Sequence, residues 1–268
     1  MSEIKLENLE KSFDDFVAVE KSDLTIQDNE FFVLLGPSGC GKTTTLRMIA
    51  GLELPTSGKI LLDNEDVTFL RASQRDIAFV FQLFALYPHM NVKKNLAFPL
   101  KMQGFKKSEI NKRIEEVSEL LRIQHLLNSK ASSLSGGDRQ RVALGRAIVR
   151  RPKAFLMDEP LGTLDAEFRE LMCLELRKLH NDIKATTVYV THDQLEAMSM
   201  GDRIAVMNKG KIIQFGTPKD IYLKPKTKFV GSFIGSPAMN FIPIHHSIEK
   251  NQNKIVINGE NYEQHRLK

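Results

Sequence analysis

Residues Gly36-Pro37-Ser38-Gly39-Cys40-Gly41-Lys42-Thr43 read as G-x-x-x-x-G-K-[ST]. That spacing describes a loop that holds polyphosphate. Its glycines permit backbone angles that turn several N–H groups to one side, where they face phosphate oxygens. A helix expected from Thr43-Thr44 to about Leu52 adds the positive end of its dipole. Lys42 reaches the terminal phosphates as a point charge, and the Thr43 hydroxyl is a ligand for Mg²⁺. Immediately upstream, Glu30 to Leu35 (EFFVLL) is a short apolar run of the kind that forms a buried strand. The order is therefore strand, loop, helix. The bare pattern arises by chance in roughly one chain in a hundred of this length, with glycine at about 7% of residues. A plain glycine-rich turn leaves the Lys and Thr after the last glycine without a reason.

Working outward, the chain of 268 residues has room for one large domain or for one with a small companion. A hydrophobic content of 42% and a charged content of 26% are those of an ordinary globular protein. No apolar run has the length of a membrane span, and the start MSEIKLENLEKSF lacks the apolar core of an export signal. The net charge of +5 is a mild excess and only a weak argument for a nucleic-acid or anionic-membrane partner; a solvated surface with some Lys and Arg used on phosphate accounts for it, and no nucleic-acid partner is expected. Cys40 and Cys173 are the only cysteines; two distant thiols make neither a disulfide framework nor a metal site.

Four apolar runs of strand length each end on a polar group suited to phosphate chemistry. Glu30 to Leu35 leads to the Lys42 loop, and Ile77 to Phe81 ends at Gln82. Ala154 to Met157 ends at Asp158-Glu159, and Thr187 to Val190 runs into Thr191-His192. In an open parallel sheet, ligands bind beyond the carboxyl ends of the strands, so one sheet brings all four groups to one site. Adjacent carboxylates there suit different tasks. Asp158 suits Mg²⁺, which takes few carboxylates and keeps its waters; Glu159 suits polarisation of an attacking water. Elsewhere the reading is mixed. Residues 1 to 30 read as strands and turns, in which Phe13 or Phe16 either stacks on a base or packs a core. Leu83 to Leu100, with Pro88 and Pro99, reads as irregular. Ile110, Ile114, Val117 and Leu121 fall on one helical face. Ser135-Gly136-Gly137-Asp138 opens a helix expected over Arg139 to Arg150, either as a second anion site or as a capped helix start. Asn208-Lys209-Gly210 reads as a hairpin turn. Residues 238 to 268 read as short strand pieces, in which His245, His246 and His265 lack metal-ligand spacing.

Taken together, these motifs resemble the ATP-binding subunits of ABC transporters over residues 1 to about 235. The loop through Thr44 resembles Walker A. Gln82 matches the Q-loop, Leu134 to Asp138 the LSGGQ signature, and Phe155 to Pro160 Walker B. Leu164-Asp165 matches the D-loop and His192 the switch histidine. NVKKNLAFPLK, TVYVTHDQLEAM, DRIAVMNKGKIIQFGTP and FIGSPAMNF are similar to the maltose and glycerol-phosphate importer group. The resemblance implies an α/β P-loop NTPase with a mostly parallel core sheet, an N-terminal antiparallel β region and a helical subdomain at about 88–150. It implies that residues 236–268 begin a small OB-like regulatory domain. It also implies ATP and Mg²⁺ as cofactors, with Thr43, Gln82 and Asp158 at the metal and Phe13 under the adenine. Glu159, His192, Lys42 and Gln82 become the catalytic set. Ser135, Gly136, Gly137 and Asp165 meet the nucleotide of a second copy, or of a close paralogue, packed head to tail. Two transmembrane permease subunits and an extracytoplasmic solute-binding protein complete the implied assembly at the cytoplasmic face of the membrane. The likeness departs from the family at Asp138, usually Gln, and at Gly162-Thr163 in the D-loop.

Two other classes fit less well. A small GTPase requires Asn-Lys-x-Asp, and Asn208-Lys209-Gly210-Lys211 lacks the Asp. A soluble non-transport ABC ATPase requires a second ATPase domain or a coiled-coil insertion. One consequence concerns Cys40, inside the phosphate loop: alkylation is expected to block the site and bound ATP to protect it, as measured by residual ATPase activity.

Overall fold

The computed structural model describes residues 3–82, 85–162, 164–241, 254–257 and 260–263. In chain order the strands and helices begin with β1 (Ile4–Phe13), β2 (Phe16–Ile26), β3 (Phe31–Leu35) and α1 (Lys42–Ala50). Next come β4 (Ser57–Leu62), β5 (Glu65–Asp66), β6 (Ile77–Val80), α2 (Val92–Met102), α3 (Lys107–Leu120) and α4 (Gly136–Ile148). The second half holds β7 (Ala154–Asp158), α5 (Ala166–Ile183), β8 (Thr186–Thr191), α6 (Gln194–Met200), β9 (Arg203–Asn208) and β10 (Lys211–Gly216). It closes with α7 (Pro218–Leu223), α8 (Lys228–Phe233), β11 (Lys254–Ile257) and β12 (Glu260–Glu263).

Two sheets organise these elements. The first is antiparallel, in the order β2-β1-β4-β5. The second runs β10-β9-β3-β8-β7-β6, parallel from β9 to β6 with β10 antiparallel on one edge. Parallel strands need long crossovers, which cover both faces and make the strands apolar throughout. All five residues of β3 are buried for this reason. Alternation then divides them between two cores. Phe31, Val33 and Leu35 face the helical side with Val92, Leu96, Val142 and Leu176. Phe32 and Leu34 face α1 and the antiparallel sheet, with Leu6, Leu24, Leu46 and Ile60. At the amino ends of the strands, Arg203 grips Glu30 through Nε (2.5 Å) and Nη2 (2.7 Å), tying β9 to β3. The expected hairpin turn joins β9 to β10, with φ of 47° at Lys209 and 78° at Gly210.

Two differences from the sequence reading have physical causes. The stretch read as irregular contains α2. Its start is fixed by Asn91, whose side-chain oxygen accepts from the Lys94 N–H at 2.8 Å. Pro99 removes one helical hydrogen bond, and burial of Val92, Leu96, Ala97 and Leu100 outweighs that loss. Helix α4 has Ser135 as its N-cap, in keeping with the capped start expected, but its helical residues begin at Gly136, three before Arg139, because that cap takes the glycines into the first turn. At the far end, β11 and β12 pair antiparallel; His245, His246 and His265 lie outside the described residues. Among the described residues, no helix is long and apolar enough to cross a membrane.

Arg75 closes the helix that follows the phosphate loop. It is 2% exposed. Its Nη1 donates to the carbonyls of Met48 (2.7 Å) and Ile49 (2.9 Å), at the end of α1. Nη2 and Nε reach the Thr68 (2.9 Å) and Leu70 (3.0 Å) carbonyls. A cation at a helix carboxyl end also complements the dipole. Arg75→Met removes four hydrogen bonds to buried backbone carbonyls, so a loss of about 3 kcal/mol is expected in urea unfolding. A loss under about 1 kcal/mol would show that water replaces the guanidinium there.

Candidate nucleotide site

Strand β3 delivers the chain into the phosphate loop, and the loop is wedged between neighbouring backbones. A Cβ on Gly36 would lie 2.3 Å from the Met207 carbonyl oxygen in β9. At Gly41, φ is 103° and a Cβ would lie 2.5 Å from the Ala18 carbonyl oxygen in β2. Neither position accepts another residue without moving a strand. Gly41 is also the N-cap of α1, so no side chain caps the amides of the first turn. Those donors are left for an anion.

Lys42 is buried, and its Nζ donates to the carbonyls of Gly36 (2.8 Å) and Pro37 (3.0 Å). It lies 3.9 Å from Glu159 Oε1. The Thr43 hydroxyl donates to Asp158 Oδ1 at 2.8 Å. Glu159 follows the last residue of β7 with φ of 43°, and its N–H donates to the Val190 carbonyl at 3.0 Å. From the next strand, His192 Nδ1 approaches Glu159 Oε2 at 3.1 Å. A carboxylate only accepts, so this nitrogen carries the proton in that contact. The Glu159 carboxylate thus sits between an ammonium and an imidazole, beside the loop.

A cavity of about 440 Å³ opens over this group. Phe13, Ser38, Gly39, Gly41, Lys42, Thr43, Thr44, Gln82 and Glu159 line it. Phe16 and Ala18 line it as well. The β1–β2 hairpin carries Phe13 and Phe16 to its wall, both substantially exposed at 43% and 62%. No sequence motif marks Ala18, which enters only because the hairpin folds back over the loop. Ser135, Gly136, Gly137 and Asp165 do not line this cavity. Ser135 is engaged locally: its Oγ donates to Asp138 Oδ2 at 2.6 Å and accepts from the Asp138 N–H at 3.2 Å. The hydroxyl thus caps the helix start, taking the Asp138 amide and giving its own proton to the Asp138 carboxylate.

Burial alters two groups. The Asp158 carboxyl is pushed above the ordinary carboxylate range chiefly by burial, with the Thr43 hydrogen bond opposing and the Glu159 charge adding. The Cys40 thiol is also pushed up by burial, against the pull of Lys42. It is 3% exposed and packs beneath the loop among Leu46, Met207 and their neighbours. This corrects the expectation of ready alkylation: at neutral pH the thiol is covered and protonated, and modification requires the loop to open.

A second concavity, of about 570 Å³, lies between β6 and the α2 and α4 helices. Leu52, Phe79, Phe81, Tyr87, Phe98 and Met102 supply its apolar wall. The Tyr87 and Phe98 rings meet at 4.7 Å, and Arg146 donates to the Ala85 carbonyl at 2.7 Å. Leu86, half-buried, packs against the core; Phe84 and Thr163 lie outside the described residues.

Comparison with known proteins places these features. The ABC transporter family profile matches residues 19–162. The chain is 56% identical over 248 residues to the trehalose/maltose import ATP-binding protein MalK of Thermococcus litoralis, covering 90% of this chain and 67% of that one. It is 54% identical over 243 residues to the sn-glycerol-3-phosphate import ATP-binding protein UgpC of Bartonella bacilliformis, covering 90% and 70%. Among solved structures it is similar to the dimeric post-hydrolysis state of the ATP-binding cassette MJ0796 bound to ADP and Pi. The TM-score there is 0.72 and the identity 33%, with 80% of this chain and 98% of that one covered. The chain therefore belongs to the ABC transporter family, as an ATP-binding and ATP-hydrolysing subunit.

Proposed function

We propose that this chain powers import of a carbohydrate or related small solute, hydrolysing ATP on the cytoplasmic face of a membrane. The observation that carries the chemistry is Glu159, held 3.1 Å from His192 and 3.9 Å from Lys42 beside the phosphate loop. The solute class rests on the likeness to the maltose and glycerol-phosphate import proteins. In this reading residues 1–235 are the ATP-binding domain, about 88–150 its helical subdomain, and 236–268 the start of an OB-like regulatory domain.

The ligand-free contacts suggest how the site works. Lys42 now satisfies its ammonium on the Gly36 and Pro37 carbonyls. A γ-phosphate offers stronger, charge-assisted acceptors and draws Lys42 outward. Glu159 then loses its nearest cation and is free to take a proton from water in line with the phosphate. His192 holds the γ-phosphate, and Phe13 stacks on the adenine. Thr43 Oγ1 and Asp158 Oδ1, 2.8 Å apart, with the Gln82 amide at the cavity, form an oxygen donor set with one carboxylate, which fits Mg²⁺. When bound, that ion supplies neutralisation of the charge that develops on the phosphate oxygens. Ser135, Gly136 and Gly137 face outward to the nucleotide of a second copy, with Asp165 at the same interface. The groove beside Phe81, Tyr87 and Met102 receives the two permease subunits, and an extracytoplasmic solute-binding protein delivers the solute to them.

Glu159→Gln is expected to bind ATP normally and to lose roughly 10²–10⁴-fold in turnover. By light scattering it is expected to dimerise only with ATP and Mg²⁺. Near-normal hydrolysis would remove Glu159 from the role of base, and a monomer with ATP bound would count against the head-to-tail sandwich. Asp158 yields a separate test. Its folded pKa is raised above the unfolded value, so the ionised form costs stability at every pH above the folded pKa and costs none below the unfolded one. At pH 7, Asp158→Asn is expected to stabilise the nucleotide-free chain by about 1 kcal/mol, or about 3 °C in Tm, while abolishing Mg²⁺-dependent turnover. An unchanged or lower Tm would show that the carboxylate is not strained.

A further inference from the structure

The first turn of α5 carries an arginine that joins the segment before it to the start of α6. Arg169 Nη2 donates to the Leu164 carbonyl at 2.8 Å, immediately before Asp165. Its Nη1 donates to Asp193 Oδ2 at 3.1 Å, immediately after His192. Its Nε lies 3.7 Å from Glu196 Oε1, in the first turn of α6. A planar guanidinium suits this task because its donors diverge in a fixed fork.

The partners are themselves held. Glu196 is 4% exposed. Its Oε2 accepts from the Tyr189 hydroxyl at 2.9 Å and from the Thr191 hydroxyl at 2.6 Å, leaving Oε1 toward Arg169. Asp193 uses its other oxygen to cap α6, accepting from the N–H groups of Leu195 (2.7 Å) and Glu196 (3.2 Å). The Asp193 N–H donates to the Thr191 hydroxyl at 3.0 Å. His192 is therefore bracketed by two residues whose side chains are tied into one buried network. Arg169 is the member of that network that leaves it for the Asp165 segment. Neither Arg169 nor Glu196 lines the nucleotide cavity.

We propose that Arg169 is a positioning residue for hydrolysis. It locks the turn that carries His192 to the segment that carries Asp165, so the two shift as one body when nucleotide engages His192. The inference rests on the roles given above to His192 and Asp165. It assigns to Arg169 the link between the γ-phosphate end of one site and the surface offered to a second copy.

The test compares Arg169→Lys and Asp193→Asn in the full chain, at saturating ATP and Mg²⁺ and well below the melting temperature of each variant. Lysine keeps the charge but cannot span the three acceptors; asparagine keeps the α6 cap but weakens the ion pair. Each is expected to lower kcat by about 10- to 100-fold, the cost of a small misplacement near the reacting atoms, with KM for ATP within about twofold of the parent. The double variant is expected to lose no more than the worse single one, because one link is broken in both. Unchanged kcat with a lowered Tm, or additive losses in the double variant, would overturn the proposal and leave the network a folding element. So would failure of both single variants to fold. Hydrolysis by Glu159→Gln at the parental rate would instead overturn the reading of the site itself, whatever Arg169 does.

Discussion

Parallel pairing of β3 with β8 on one side and β9 on the other determines where everything else can lie. In register, Leu35 stands beside Thr191 and Val206, so the chain leaves β3 and β8 at the same edge. β7 pairs with β8 such that Asp158 stands beside Val190. Four turns with different sequences therefore converge without any direct attraction between them. The hydrogen-bond ladder does the assembling, and the polar groups take the positions that the ladder leaves. Because both sheet faces are covered, each strand also serves two cores, and a residue changed on one face is felt by only one of them.

The same arrangement explains how a cluster of charges persists without a ligand. Lys42 is nearly buried and would be costly without partners. Two loop carbonyls and the Glu159 carboxylate supply them. Thr43 similarly answers Asp158. These substitute contacts are weaker than those that phosphate and a divalent ion would give. The site is thus closed on itself, yet the contacts that close it are the ones a nucleotide would most readily displace.

Much of this was legible in the sequence, and the parts that were not share a cause. The strand–loop–helix around Lys42 is local, and its spacing carries both the fold and the chemistry. The convergence of Gln82, Glu159 and His192 followed from the parallel-sheet rule applied to apolar runs. Helix α2 was not legible, because Pro99 is a strong local signal and the burial that overrides it is tertiary. Ser135 was legible as the cap of α4, but the helix start at Gly136 was not, because two glycines disfavour a helix that the cap nonetheless begins. The place of Ala18 over the loop depends on how a hairpin folds back, and that of Arg169 on which acceptors lie within its reach. Neither relation has a sequence period. Cys40 shows the opposite error: a residue inside a functional motif need not present its side chain there.

Helix α1 is also asymmetric. Its amino end is bare, with a glycine cap and unclaimed amides, while its carboxyl end is clamped by the four-way grip of Arg75. A rod with a fixed heel and a free tip does not recoil when its tip is loaded. An anion arriving at Lys42 therefore pushes on an anvil, and displacement must appear in what surrounds the rod. Any motion is thereby left to the surroundings, while the nine-residue helix stays in place as the frame of reference.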